Sequence, residues 1–271
     1  MTVKKQPRPI MPAHLTARRR KEIASLTRKS HRDRLGQLLI EGVRAAEAAV
    51  AADAPLVEVL VSETAQAEAR VQALLAEVIV PVYILPERDL ARLSDVQTSQ
   101  GVLAVASPRR FPEARLTSLD TILALDGVQD PGNVGAVIRT AAWFGVDAVL
   151  AGPGTADFFQ PKVVRASMGG LWDVHLTHTA DLPAQLAQLH AYGFACYGAD
   201  LHGTPVQRWR PRRPSVLVLG SEAHGLTSDV QALLAERIAI AGATERAATE
   251  SLNVAVASGI LVYAWMGDRI A

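Results

Sequence analysis

Three short stretches of this chain collect residue types that can do chemistry. In the first, Asp130-Pro131-Gly132 is followed by Asn133 and, six residues later, by Arg139. In the second, Ser221, Glu222 and His224 lie between Gly220 and Gly225. In the third, Ser251 and Asn253 open a segment rich in Ala and Val. A guanidinium grips phosphate or stabilises a developing oxyanion through several N–H groups. Glycines at both ends of a short polar loop let the backbone approach a planar or phosphate-bearing ligand. The second stretch is not a Walker A loop, because no Gly-Lys-Ser/Thr follows it.

The elements that must position these residues are legible as apolar runs. TILALDGV, DAVLAG, VHLTH, GFACYGAD, SVLVLGS and RIAIAG read as strands between residues 121 and 242, and helices are expected at 134–144, 161–171, 182–192 and 251–267. Continuous apolar strands alternating with helices predict a mainly parallel sheet covered on both faces, with ligands outside the carboxyl ends of the strands. Asn133 reads as the N-cap of a helix starting at Val134, with Arg139 on its second turn. Ser251 reads as the cap of the last helix, with Asn253 inside its first turn. Each loop alone also fits a plain reading: a capped helix with a surface arginine, an ordinary β–α turn, and a capped buried helix.

Upstream, residues 35–52 show helical spacing interrupted by Gly42; strands are expected at 56–62, 80–86 and 101–107, and helices at 65–78 and 87–95. The chain therefore divides into a basic arm (1–14), a small α/β domain (15–107), a proline-bearing linker (108–120) and a larger α/β domain (121–271). Of the 271 residues 49% are apolar and 5% aromatic, as in a compact α/β enzyme. No run approaches the roughly 20 apolar residues of a membrane-spanning helix. One cysteine, Cys196, provides neither an intrachain disulfide nor a zinc cluster, which suits a reducing cytoplasm. The net charge of +1 conceals an asymmetry: residues 1–36 hold eleven Lys/Arg against two acids, +9, leaving −8 elsewhere. Such a segment fits a polyanion partner, through counterion release, or a solvated tail.

Taken together and in this order, the loops resemble the three signature motifs of the SpoU/TrmH family, within the SPOUT class of methyltransferases. DPGNVGAVIRTAAWFG follows its N-x-G-x-x-x-R-x-A pattern, LGSEAHGL its second motif and SLNVAVASGILVY its third. RLGQLLIEGVRAAEAAV and TSQGVLAVA resemble the small RNA-binding domain, similar to ribosomal protein L30e, that many members carry upstream. The resemblance implies a catalytic domain with a C-terminal trefoil knot, a homodimer, and methyl transfer from S-adenosylmethionine to a ribose 2′-hydroxyl. It implies 23S ribosomal RNA before transfer RNA as the substrate. Arg139, Asn133, Glu222, Ser251 and Asn253 match the family's polar catalytic residues, with Asn133 and Glu222 expected to orient Arg139. Gly220, Ile238, Ile240 and Leu252 match the cofactor-binding positions. Arg18, Arg19, Arg20, Arg28, Lys29, Arg32 and Arg44 are the expected RNA contacts, and no metal is implied.

One departure stands out. The family's I-P-M-x-G is here Ile238-Ala239-Ile240-Ala241-Gly242, without proline, and eight residues (Ala243 to Glu250) precede Ser251 instead of about three. The extra length, with Thr244, Glu245, Arg246 and Glu250, falls where cofactor and substrate should meet. The rival readings are an RNA-binding protein without catalysis, which the full set of polar residues opposes, and a nucleotide-dependent oxidoreductase. The latter needs a G-x-G-x-x-G turn that is not present.

Overall fold

The first helix, α1 (Ala17–Ser25), starts where the Thr16 hydroxyl accepts from the Arg19 N–H. After α2 (Lys29–Leu35) comes a strand, β1 (Leu38–Glu41), where the sequence spacing predicts helix. All four residues of β1 are buried, and β1 pairs antiparallel with a later strand, so burial on both faces overrides the helical spacing. Gly42, at φ +93, then turns the chain into α3 (Val43–Ala51). This computed structural model describes residues 14–96, 99–243 and 250–270. The arm over 1–13 and the 244–249 part of the lengthened loop lie outside the described residues.

The remaining elements of the small domain follow the sequence expectation closely. They are β2 (Leu56–Ser62), α4 (Ala69–Glu77), β3 (Val82–Leu85), α5 (Glu87–Ala91) and β4 (Val102–Ala106). Its sheet has the order β1-β4-β2-β3, with β2 and β3 parallel and the other pairs antiparallel. Ile23, Leu26, Leu39, Leu60 and Leu103 form its core.

The rest of the chain runs β5 (Thr121–Asp126), α6 (Pro131–Phe144), β6 (Ala148–Ala151), α7 (Pro161–Ser167), β7 (His175–His178), α8 (Leu182–Ala191), β8 (Ala195–Pro205), β9 (Ser215–Gly220), α9 (Ser228–Gln231), β10 (Glu236–Ala239) and α10 (Val254–Ile270); α7, expected to cover the second sheet, packs on β1 of the first instead. The strands run β10-β8-β9-β5-β6-β7, and every pair is parallel. Ile122 to Leu125 and Val216 to Leu219 are each fully buried in succession, as central strands covered on both faces must be.

The chain forms two compact units: Met1–Arg109 with Phe159–Trp172, and Arg110–Phe158 with Asp173–Ala271. The segment read as a linker is partly core. Leu116 is fully buried in the second unit, and Phe111 stacks on His175 at 4.1 Å.

The strand order reverses between β5 and β9. Chains leaving these neighbours diverge, and the crevice beyond their carboxyl ends is where parallel sheets take ligands. Away from that crevice, Cys196 on β8 is fully buried, and burial pushes its thiol up to about 11. At pH 8 the native thiol is therefore protonated by about a thousand to one. Iodoacetamide is expected to label the native protein at least 100-fold more slowly than the urea-unfolded chain; comparable rates would contradict the buried placement.

Candidate active site

The pairing of β5 with β9 sets Asp126 opposite Gly220, so the first and second loops leave the sheet side by side. The first loop enters α6 earlier than the sequence suggests. Asp130 is the N-cap, accepting from the Asn133 N–H at 2.9 Å, and Pro131 occupies the first turn. Proline has no N–H to leave unpaired and its φ is already helical, so the helix starts there. Asn133 consequently lies inside the first turn, and Arg139 on the third.

The second loop closes on itself. Ser221 and Gly225 exchange backbone hydrogen bonds of 3.0 and 2.9 Å, and the Ser221 hydroxyl accepts from the His224 N–H. A Cβ at Gly220 would sit 2.2 Å from the Gly225 carbonyl carbon, so loop closure itself demands glycine there. The Asp126 carboxylate accepts from the Thr227 N–H at 2.7 Å, fastening the loop's exit to the end of β5.

The third loop ends at α10. Asn253, rather than Ser251, is the cap: its Oδ1 accepts from the N–H groups of Ala255 (2.9 Å) and Val256 (3.3 Å). The roles expected of Asn133 and Asn253 are thus exchanged. The asparagine read as a cap is inside its helix, and the one read as inside is the cap.

These displacements bring the three loops together. Asn253 Nδ2 donates to Asn133 Oδ1 at 3.0 Å, and Asn133 Nδ2 donates to Glu222 Oε1 at 2.6 Å. The first turns of α6 and α10 both lie at this junction, and helix N-termini favour a negative group such as the Glu222 carboxylate. Arg139 is exposed and, among the described residues, forms no hydrogen bond or ion pair. Asn133 and Glu222 therefore hold each other rather than orienting Arg139. Ser251 is exposed and unbonded among the described residues.

Of the expected cofactor positions, Ile238 is buried at the end of β10, Gly220 and Ile240 are half-buried, and Leu252 is exposed. Sequence reasoning missed a fourth loop, residues 152–156 after β6. The Thr155 hydroxyl donates to the Leu125 carbonyl and the Ala156 N–H donates to the Val128 carbonyl, holding this loop against the first. Its Gly-Pro-Gly run was the available signal.

The expected RNA contacts separate into two kinds. Arg32 is buried and donates to the carbonyls of Leu26 and Thr27, so it fastens the α1–α2 corner and is withdrawn as a phosphate ligand. Arg19 binds Glu22, Gln37 and the buried Glu58, and Arg20 binds Asp89. Lys29 pairs with Asp33 one turn along. Arg18, Arg28 and Arg44 are exposed.

Comparison with known proteins places the chain in a family. A model of the SpoU rRNA Methylase family matches residues 120–263, and one of an MRM3-like substrate binding domain matches residues 18–104. The chain is 34% identical over 244 residues to the 23S rRNA (guanosine(2553)-2′-O)-methyltransferase RlmP of Bacillus subtilis, covering 90% of this chain and 94% of that protein. A structure assigned to the TrmH family of RNA methyltransferases, from Porphyromonas gingivalis, is 33% identical with a TM-score of 0.79. It covers 93% of this chain and 98% of its own. The SpoU methyltransferase AviRb from Streptomyces viridochromogenes, in complex with AdoMet, is 25% identical with a TM-score of 0.81, over 94% and 99% of the two chains.

The exchanged caps make a direct test. Asn253→Ala should cost about 1 kcal/mol of stability by denaturant titration, the usual loss for an asparagine cap, and Ser251→Ala less than about 0.3. The reverse order would return the cap to Ser251.

Proposed function

The chain belongs to the SpoU rRNA methylase family, and on that premise we propose that it methylates a ribose 2′-hydroxyl of 23S ribosomal RNA. It is an S-adenosylmethionine-dependent RNA 2′-O-methyltransferase. The observation that carries the site assignment is the Asn253–Asn133–Glu222 chain of hydrogen bonds, which joins all three motif loops at the switch point of the sheet. The choice of ribosomal RNA rests on the Bacillus relative and on the substrate-binding domain match upstream. We assign residues 15–107 to RNA substrate binding and 121–271 to methyl transfer, in the cytoplasm.

The residues present suit the cofactor. Among the described residues the backbone groups of Ala241, Gly242 and Ala243 make no hydrogen bonds, and Leu252 exposes an apolar side chain. Free backbone donors and acceptors on one segment and an exposed apolar side chain on the other are the groups that the edge and face of a purine require. Gly220, Ile238, Ile240 and Leu252 would hold the adenosine. When bound, S-adenosylmethionine supplies a methyl group on a positively charged sulfur.

The chain's own residues then have to align the hydroxyl and manage its charge. A guanidinium does not give up its proton, so Arg139 acts by stabilising the developing alkoxide or by gripping the neighbouring phosphate. Glu222 is the available proton acceptor. One of its oxygens is occupied by Asn133, and the other is without a hydrogen bond among the described residues. That oxygen would take the proton of the ribose hydroxyl while Arg139 holds the charge developing on the hydroxyl oxygen. Asn253 stands at that junction, and Ser251 and Asn253 would hold the ribose.

We also assign a homodimer and a C-terminal trefoil knot. Trp143 on α6 is 83% exposed, and Val256, Ile260 and Tyr263 are exposed on α10, whose Tyr263 meets Phe144 of α6. An apolar face of this kind is better explained by a second copy than by solvent. Support for the knot is the insertion of β9 between β5 and β8, with α10 returning to α6.

Arg139→Ala should abolish methyl transfer while S-adenosylmethionine binding by calorimetry stays within about threefold. Glu222→Gln should lower kcat by about 100-fold or more, the usual contribution of a general base. Full activity of either variant would reject its role. Mapping 2′-O-methyl sites in a deletion strain against its parent should show one 23S site lost, whereas loss from transfer RNA would replace the substrate. Ile260→Glu should convert a dimer into a monomer in sedimentation velocity; a monomeric wild type would remove the dimer.

A further inference from the structure

α1 and α2 enclose a cleft of about 440 Å³ lined by Arg18, Lys21, Glu22, Ser25, His31 and Arg34. Such a volume lies in the range of ordinary ligand clefts, about 300–1,000 Å³. Within the basic N-terminal segment these residues differ from their neighbours. Arg19, Arg20 and Lys29 are neutralised by carboxylates, and Arg32 is buried against backbone carbonyls. The cleft's single acid, Glu22, is bound by both Arg18 and Arg19, whose hydrogen bonds hold its carboxyl below the usual range. Lys21 and Arg34 are exposed and form no ion pair among the described residues. The cleft therefore keeps two cations that no described residue neutralises.

His31 adds direction. Arg34 lies 3.2 Å from His31 Nδ1, and a guanidinium can only donate, so Nδ1 accepts and the ring proton is on Nε2. The imidazole thus presents an N–H donor beside the two cations. Two cations unpaired among the described residues and an imidazole donor in a concave setting fit phosphate oxygens and a sugar hydroxyl, and nothing in the lining selects a base.

We propose that this α1–α2 cleft seats the phosphodiester backbone of the substrate RNA through Lys21, Arg34 and His31. Sequence reasoning included neither Lys21, Arg34 nor His31 among the RNA contacts. The proposal rests on the RNA methyltransferase reading above and adds to it a place where the RNA is held, distinct from Arg139 and Glu222.

The test uses the full chain and an unmodified 23S ribosomal RNA transcript, with affinity measured across a salt series. Lys21→Ala/Arg34→Ala should weaken binding at low salt by about tenfold. It should also flatten the slope of log affinity against log salt by roughly 0.7–0.9 for each phosphate no longer neutralised. KM for RNA should rise while kcat at saturating RNA and S-adenosylmethionine affinity stay unchanged. Lys21→Arg/Arg34→Lys keeps both charges and should retain the wild-type slope, which separates removal of charge from damage to the fold. An alanine variant with wild-type affinity and slope overturns the cleft while leaving the methyltransferase reading intact. A wild type that neither binds nor methylates the transcript overturns the substrate reading and the cleft with it. Loss of poly-glutamate binding at unchanged RNA affinity would assign the cleft to an acidic protein surface and equally overturn the proposal.

Discussion

The Asn133 side chain has one acceptor and one donor end, and both are committed. Its polarity is settled from the far end of the chain of bonds. Backbone N–H groups of Ala255 and Val256 can only donate, so Asn253 must turn its oxygen toward them and its NH₂ toward Asn133. Asn133 must then present its own oxygen to Asn253 and its NH₂ to Glu222, which as a carboxylate only accepts. Reversing any amide would oppose like poles. Three loops, the first and last more than a hundred residues apart, are thereby held in one arrangement by two side-chain hydrogen bonds. Glu222 is left with one oxygen engaged and one open.

That junction depends in turn on strand order. Because β9 lies beside β5, Asp126 and Gly220 are neighbours, and Asp126 can reach across to the Thr227 backbone. The glycine at 220 belongs to the same closure, since any side chain there would collide with Gly225. The site is thus shaped chiefly by backbone packing and by capping carboxylates and amides, each worth about 1 kcal/mol. The apolar residues of the parallel sheet carry the larger part of the stability.

The small domain uses charge differently. Its buried Glu58 requires Arg19, and removing a partner from a buried carboxylate costs on the order of 3 kcal/mol. A segment with net charge +9 is therefore not uniformly available to RNA. Some cations hold the α1–α2 corner and its sheet in place, and others remain open to solvent.

Taken by itself, the sequence determined the second sheet almost completely. Its central strands β5, β6 and β9 are continuous apolar runs buried on both faces, a pattern that no competing local preference disturbs. It also named polar residues in three loops, of which the fold joins Asn133, Glu222 and Asn253 by hydrogen bonds. It did not determine the caps, since Pro131 draws the start of α6 forward and Asn253 competes with Ser251 at α10. Nor did it reveal β1, whose helical spacing yields to pairing with β4, a partner more than sixty residues away. Arg19, Arg20 and Arg32 looked equivalent to Arg28 in composition. Only the folded chain, by placing Glu58, Asp89 and the end of α1 beside them, decided which charges were structural and which were free to bind.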